Sequence, residues 1–409
     1  MTKILRAYKT EIRPNNLQQT YCRRNFGSAR FAFNWAIQKK KEAFEAKEKT
    51  PNNIELHREL NKLKGTEELH WGYADGISKC SFQEALRDCD KAFANFFRRC
   101  KQGVKGKKGF PKFKSKRNDK QSFRLTGTIK VFDSHIQIPK LGKVRLQESN
   151  YIPQDAKILS ATVSYQAGKY FVSVQVEEEH TSKETKTENR VGVDLGIKRL
   201  ATCSDGNWFD NPNPLKSNLK KLKRLARRFS RKVKGSKNKI KARQRLSRLH
   251  YKISNIRKNT LHKVTSRIIN ENQVIVLEDL KISNMMKNHC LARAISDVGF
   301  HEFRRQIEYK AKWNEREVIF ADRFYPSSKL CSTCGWKNVN LNLSDRTFDC
   351  LDCGASIDRD YNASLNLLNY NTGSSPEIYA SGDRSSSNES LVSLSLKEES
   401  NLKSHFRIL

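Results

Sequence analysis

The sequence lacks any long apolar run, and its cysteines do not form a disulfide pattern. No apolar stretch approaches the ~18–20 residues that cross a bilayer, and the residues following Met1 lack the apolar core of a secretory signal. We therefore expect a cytoplasmic protein that binds no membrane. Without a secretory signal, scattered cysteines disfavour disulfides. The scattered cysteines are Cys22, Cys80, Cys89, Cys100, Cys203 and Cys290.

Acidic residues are also scarce. The chain of 409 residues has 43 acidic residues against 79 lysines and arginines, which gives a formal charge of +36. This excess is far more than solubility needs, and it indicates a polyanionic partner. A basic structural protein of the ribosome would show a similar excess, whereas binding to a membrane surface would need a basic amphipathic anchor. The length and a hydrophobic content of 37% favour two or three domains.

The remaining four cysteines form two closely spaced pairs within residues 326–356. Cys331 and Cys334 make one C-x2-C pair, Cys350 and Cys353 make the other, and fifteen residues lie between the pairs. A glycine directly follows the second cysteine of each pair, as suits a tight turn. This spacing predicts a zinc ribbon in which four thiolates hold one structural zinc ion with no open position.

Three acids stand at places where a metal site could form. Asp194 ends the apolar run that begins at Val191, and Glu278 ends the run that begins at Val274, so both are expected at strand ends. Taken singly, a strand-end carboxylate is more often a turn or cap residue. Asp360 follows the second cysteine pair, at the start of a predicted helix. Together the three acids predict a site for two Mg²⁺ ions, because hard cations prefer carboxylate oxygens.

The N-terminal part alternates between strand and helix patterns. Residues 3–13 and several segments of 122–190 have strand periodicity and predict a small β-barrel built from residues 1–14 and 118–188. Residues 15–117 between them predict an inserted helical domain, with a helix N-cap at Gly27–Ser28. Apolar residues recur at helical spacing from Phe82 to Phe97 and predict a core stripe.

Two segments carry dense positive charge. Lys101–Arg117 has eight basic residues, no acid, and the rings of Phe110 and Phe113, which favours a phosphate-binding loop over a solvated linker. The rings would either stack on bases or anchor the loop. The loop residues predicted to contact nucleic acid are Lys105, Lys107, Lys108, Lys112, Lys114 and Lys116.

The second basic segment has twenty lysines and arginines and no acid between Lys216 and Lys263. Its leucine and isoleucine spacing predicts two helices separated at Gly235–Ser236, with the basic surface facing nucleic acid rather than solvent alone. The predicted contacts here are Lys220, Lys221, Arg224, Arg227, Arg228, Arg231, Arg243, Arg245, Arg248, Arg257 and Lys263.

Further along, Lys281–Ala294 predicts a polar loop, and the Ser-rich residues 371–409 predict a disordered tail.

These motifs together resemble a known family. GVDLG, VLEDL, FYPSSKLCSTCG, the second C-x2-C and DRDYNAS, with KTEIRP, GSARFAFNWAI and GFPKFKSK, are similar to the transposon-encoded TnpB (OrfB) proteins, relatives of the type V CRISPR nucleases. The resemblance covers nearly all of residues 1–370. One position departs from the family pattern: Asn259 stands where an acid is expected, which affects a local helix contact rather than the metal site.

The resemblance implies a multidomain α/β protein. Residues 189–370 would form a RuvC-like (RNase H-type) nuclease core with an inserted zinc ribbon, and the N-terminal barrel would carry the inserted helical domain. Asp194, Glu278 and Asp360 would be the catalytic, Mg²⁺-binding acids. The family implies an RNA-guided DNA endonuclease of prokaryotic, nucleoid-associated type, with a guide RNA from the transposon end and double-stranded target DNA beside a short flanking motif as partners.

Two other functions are compatible with the same residues. A strand-transfer transposase would use the same acids and would join DNA ends instead of leaving them free. A catalytically silent nucleic-acid-binding regulator would have no use for three converging, mutually repelling carboxylates, so the intact acids argue against it.

Overall fold

The computed structural model describes residues 2–103, 106, 108–117, 120–180, 189–342 and 344–370. The predicted tail at 371–409, the residues Lys105 and Lys107, and most of the linker before residue 189 lie outside these ranges. No helix in the described part of the chain is long and apolar enough to cross a bilayer.

The first sheet has seven antiparallel strands. They are β1 (Thr2–Arg13), β2 (Gln121–Leu125), β3 (Lys130–Val131), β4 (His135–Ile138), β5 (Gly142–Leu146), β6 (Lys157–Gln166) and β7 (Lys169–His180). Their order is β2-β6-β7-β1-β5-β4-β3, so the N-terminal strand joins the later strands in one sheet, as predicted, and lies at its centre. The ladder ends at β2 and β3, and no pairing closes it among the described residues, so a closed barrel stays a prediction.

Three helices follow β1 and share a hydrophobic core with this sheet. They are α1 (Asn16–Glu45), α2 (Asn53–Leu63) and α3 (Lys79–Lys101). The predicted N-cap at Gly27–Ser28 is wrong, because Asn15 and Gln18 form a capping box that starts α1 eleven residues earlier than Gly27. The predicted stripe on α3 is buried from Phe82 to Phe96, and its residues up to Phe93 share one core with the strands. The prediction is wrong for Phe97, which is 42% exposed because it lies off the buried face of the helix.

The second sheet has five strands. They are β8 (Arg190–Asp194), β9 (Arg199–Cys203), β10 (Trp208–Asp210), β11 (Val274–Glu278) and β12 (Glu317–Ala321), in the order β10-β9-β8-β11-β12. β8, β11 and β12 are parallel to one another, and β9 and β10 extend the sheet as an antiparallel hairpin. β8 and β11 are apolar in three consecutive buried positions each, as expected for strands covered on both faces.

Helices surround this sheet. They are α4 (Pro214–Ser230), α5 (Lys237–Glu271), α6 (Ile282–Met285), α7 (His289–Val298) and α8 (Phe300–Trp313). The predicted break at Gly235–Ser236 is confirmed, since Ser236 caps α5 by accepting a hydrogen bond from the Lys239 amide at 3.1 Å. The predicted loop at Lys281–Ala294 is wrong, because it contains α6 and the first turns of α7. The buried face of α7, with Ile295 and Val298, joins the core under the sheet, and this packing holds the segment in place.

The last elements are the short hairpin of β13 (Thr347–Asp349) and β14 (Ser356–Asp358), and helix α9 (Arg359–Leu368). This hairpin carries the second cysteine pair, and α9 lies against β8. The second sheet therefore receives both strand-end acids and the helix that bears Asp360.

Candidate active site

Asp194 and Glu278 are neighbours at one edge of the second sheet. Asp194 is the last residue of β8, and Glu278 is the last residue of the adjacent strand β11. The two strands are parallel, with Val193 opposite Leu277, so the acids that follow leave the sheet side by side. The carboxyl ends of parallel strands are the place where open α/β sheets form their sites.

Asp360 reaches the same edge because α9 packs directly on β8. Gly192 makes this approach possible: a Cβ at that position would stand 2.1 Å from the Ser364 carbonyl oxygen and 2.4 Å from the Leu368 amide nitrogen. No side chain fits between the strand and the helix backbone. The glycine two residues before Asp194 therefore sets how closely the helix that carries Asp360 can lie.

The two acids at the start of α9 have different roles. Asp358 is the N-cap, and its Oδ1 accepts hydrogen bonds from the amides of Asp360 and Tyr361, each at 3.1 Å. Its other oxygen lies 3.3 Å from the Arg199 guanidinium. Asp358 therefore caps α9, and Asp360 stands in the first turn with its carboxylate not needed for capping.

The charges of Glu278 and Asp360 both act on Asp194. Burial raises the pKa of Asp194 well above its ordinary value, and the charges of Glu278 and Asp360 raise it further. Burial also raises the pKa of Glu278, against a hydrogen bond from Ser327 and the charge of Arg359. Carboxylates that repel one another in this way are stabilised by a cation.

Ser327 is a site residue that the sequence reasoning missed. It is only 2% exposed, and its hydroxyl donates a hydrogen bond to Glu278 Oε1. It lies in the FYPSSKLC motif, but nothing in the spacing of that motif indicates which acid the serine meets.

The four predicted cysteines come together. Their Sγ atoms all lie within 4.8 Å of one another, with Cys331 and Cys350 buried. Each pair lies in a turn closed by the following glycine, whose amide donates to the carbonyl of the first cysteine at 2.9 Å and 3.1 Å. Burial raises the pKa of the Cys331 thiol, but the amides of Cys334 and Thr333 outweigh it and lower that pKa to about 6. Four closely spaced sulfur donors fit a structural zinc ion.

Within the described part of the chain, this is the one group of His, Cys, Asp or Glu side chains compact enough for a single ion. The charges of Glu278 and Asp360 act on Asp194, but these three carboxylates do not form so tight a cluster. The all-oxygen donor set fits Mg²⁺ rather than zinc.

Most of the predicted nucleic-acid contacts are exposed. On α4 and just after it, Lys220, Lys221, Arg224, Arg227, Arg228 and Arg231 all face solvent, and so do Arg245, Arg248 and Lys263 on α5. In the loop, Lys112, Lys114 and Lys116 are exposed and Lys108 is half-buried. Phe110 packs edge-on against Phe93 and Phe96, with ring centroids 5.6 Å and 5.2 Å away, so this ring anchors the loop.

Arg257 has a structural partner. Its guanidinium lies 2.8 Å from the carboxylate of Asp297, which is 3% exposed and also accepts hydrogen bonds from the Leu215 and Lys216 amides at the start of α4. This pair ties α5 to the N-terminus of α4, a role that the charge pattern alone did not indicate.

A cleft of about 1670 Å³ joins the helical insertion, the first sheet and the basic helix α5. Two predicted contacts, Lys116 and Arg243, line it. Arg24 and Arg30 of α1 also line the cleft, and the sequence analysis did not single them out because their positive charges are interspersed with apolar residues along the helix.

Three family models match parts of the chain. Family models described as "Probable transposase", "Cas12f1-like, TNB domain" and "Helix-turn-helix domain" match residues 173–289, 300–367 and 1–49 respectively. A "Putative RNA-guided DNA endonuclease" of Streptomyces pristinaespiralis is 36% identical over 371 residues, which cover 90% of this chain and 90% of that protein. The "Putative RNA-guided DNA endonuclease InsQ" of Escherichia coli (strain K12) is 36% identical over 383 residues, covering 90% of this chain and 92% of the relative.

Among solved structures, the "mini-RNA-guided endonuclease CRISPR-Cas_phi3" aligns with a TM-score of 0.45 and 10% identity, over 90% of this chain and 92% of that one.

Proposed function

Because the chain belongs to the TnpB (OrfB) family, we propose that it is an RNA-guided DNA endonuclease encoded by a transposable element. The observation that supports the proposal is that Asp194 and Glu278 end two adjacent parallel strands, with α9, which carries Asp360, packed on β8. Such a protein would act on DNA in the cytoplasm of a prokaryotic host.

The three acids would hold two Mg²⁺ ions. When bound, Mg²⁺ lowers the barrier to phosphodiester hydrolysis by stabilising charge on the attacking and leaving oxygens. Asp194 and Glu278 would supply oxygens from rigid strand ends, and Asp360 would supply oxygens from the first turn of α9. The raised pKa of Asp194 supports this role, because repelling carboxylates bind a divalent cation that relieves their repulsion. The four cysteines would hold one structural zinc ion.

The basic surfaces would hold the nucleic acids. The exposed face of α4 and α5 is suited to the phosphates of a guide RNA and its hybrid with the target strand. The guide would come from the transposon end, and base pairing would select the target while the protein contacts backbone. The first sheet and its helices would read the short flanking motif in double-stranded DNA.

We also propose the domain boundaries that the resemblance implies. Residues 1–14 and 118–188 would form a barrel-like unit, 15–117 the inserted recognition helices, and 189–370 the RuvC-like nuclease with its ribbon at 326–356. The two separate sheets support this division, since the chain leaves the first sheet after β7 and enters the second at β8.

One experiment tests the function and separates it from strand transfer. The protein is co-expressed with the DNA that flanks its gene, the co-purifying RNA is sequenced, and the complex is incubated with Mg²⁺ and plasmids that carry the matching target beside randomised flanks. We expect one discrete RNA and free cleaved ends that an Asp194→Asn variant does not produce. Joined products would indicate a transposase, and heterogeneous cellular RNA without targeted cleavage would contradict RNA guidance.

A further inference from the structure

The segment from Arg323 to Ser332 connects the zinc ribbon to the acidic site. The side chains that make this connection neither cap a helix nor bind zinc. At its start, Arg323 pairs with Asp279, the residue directly after Glu278. Four residues later the Ser327 hydroxyl donates to Glu278 Oε1. The end of strand β11 is therefore held at two successive residues by one short stretch of chain.

The same stretch is held from behind by α9. The Asn366 amide donates to the carbonyls of Ser327 and Leu330, each at 2.7 Å. Asn362 donates to Leu330 at 2.6 Å and accepts from the Ser332 amide at 2.9 Å. Both asparagines are buried, Asn362 at 0% exposure and Asn366 at 5%, so these hydrogen bonds are sheltered from water.

Ser327 therefore stands where three things meet: the carboxylate of Glu278, the helix that carries Asp360, and the chain that leads into Cys331. A hydroxyl on one carboxylate oxygen leaves the second oxygen for another partner. It also restricts rotation of the carboxylate. The Glu278 side chain therefore has less conformational entropy to lose when it binds a cation. Outer partners of this kind typically change metal affinity or activity by 10- to 100-fold when removed.

We propose that Ser327 is a positioning residue: it orients the Glu278 carboxylate for a divalent cation and ties that orientation to α9 through Asn366. The inference rests on the proposed function in one respect, that Glu278 binds a cation. It does not depend on RNA guidance.

The test compares Ser327→Ala with Ser327→Thr, which keeps the hydroxyl. Ser328→Ala is the matched control, because it removes a hydroxyl from the next, half-buried residue of the same segment. Zinc content and melting temperature are measured first for each full-length variant. Binding of Mn²⁺, a spectroscopic substitute for Mg²⁺, is then measured by electron paramagnetic resonance without nucleic acid, followed by the Mg²⁺ dependence of cleavage.

We expect Ser327→Ala to keep one zinc per chain, to bind Mn²⁺ about tenfold more weakly, and to need about tenfold more Mg²⁺ for half-maximal cleavage. Ser327→Thr should recover most of the Mn²⁺ affinity, and Ser328→Ala should match the wild type. Unchanged Mn²⁺ affinity in Ser327→Ala would overturn the proposal, and so would loss of zinc in that variant, which would show a structural role only. Should the wild type bind Mn²⁺ but fail to cut guided targets, the proposed function would fall and the Mn²⁺ comparison would still decide the role of Ser327.

Discussion

Asp358 and Asp360 stand two residues apart at the start of α9, yet the structure gives them separate tasks that mutation can distinguish. Asp358 accepts from two backbone amides at 3.1 Å, whereas Asp360 contributes to the raised pKa of Asp194 across the site. We compare Asp360→Asn, which removes one charge at almost constant size, with Asp358→Ala, which removes the cap.

The two substitutions should affect different quantities, the cleavage rate for Asp360→Asn and the stability for Asp358→Ala. Loss of a metal-binding carboxylate removes about 4 kcal/mol of transition-state stabilisation, and at 1.36 kcal/mol per decade this is roughly a thousandfold in rate. Loss of an N-cap costs about 1 kcal/mol of stability. The exposed Asp358–Arg199 pair at 3.3 Å adds about 0–1 kcal/mol. Asp358→Ala should therefore lower the melting temperature by roughly 2–8 °C and leave the cleavage rate near that of the wild type.

The assay is single-turnover cleavage at saturating Mg²⁺, with target binding measured separately in EDTA and melting followed by calorimetry. Asp360→Asn should hold target DNA with wild-type affinity, melt at or above the wild-type temperature and cut at least a thousandfold more slowly. If Asp358→Ala abolishes cleavage while Asp360→Asn cuts normally, the third metal ligand is Asp358 and the capping argument is wrong.

Three further outcomes are expected. Cys331→Ser should lower the bound zinc below one ion per chain and destabilise the nuclease part, because zinc binding contributes folding free energy. Metal analysis and thermal melting measure the two effects, and wild-type protein that contains no zinc would contradict the zinc ribbon. Replacing several lysines between Lys220 and Arg248 by Gln should weaken the binding of nucleic acids of all sequences and reduce the slope of log affinity against log salt concentration. An unchanged slope would show that this face is only solvated. Burial lowers the pKa of Lys310 from 10.5 to about 8, so between these pH values the unfolded chain binds more protons and stability rises with pH. The melting temperature of the wild type should accordingly rise relative to that of Lys310→Met across that pH window. If the two melting temperatures changed with pH in the same way, this prediction would be wrong.

Features with a local cause could be predicted from the sequence. Asp194 and Glu278 end short β-branched runs, and a strand end is determined by its own residues and the turn that follows. The cap at Asp358 and the cysteine turns likewise depend on two to four neighbouring residues. Parallel pairing of β8 and β11, with about eighty residues between them, did not follow from either run alone. The acids taken together suggested one metal site, and the family resemblance implied the same three residues.

Features decided by tertiary packing could not be predicted. The polar run at Lys281–Ala294 has weak helix signals, but burial of Ile295 and its neighbours holds α7 against the core. Arg257 appears as one more charge in a basic segment until the fold brings the buried Asp297 to it. Ser327 similarly could not be identified as a site residue before the fold was known, because its partner Glu278 is forty-nine residues away.

Gly192 shows how one small residue connects fold to chemistry, and it offers a final test. In Gly192→Ala the new Cβ would stand 2.1 Å from a backbone oxygen of α9, and a backbone atom cannot rotate away as a side chain does. The helix must shift, at a cost of about 1–3 kcal/mol, and it carries Asp360 with it. We expect a lower melting temperature and a higher Mg²⁺ requirement for cleavage. The control is Gly27→Ala within α1, where a Cβ meets nothing closer than 4.0 Å and alanine should stabilise the helix by about 0.5–1 kcal/mol. Wild-type stability and Mg²⁺ dependence in Gly192→Ala would show that α9 does not need its close seat on β8, and that Asp360 is positioned by some other contact.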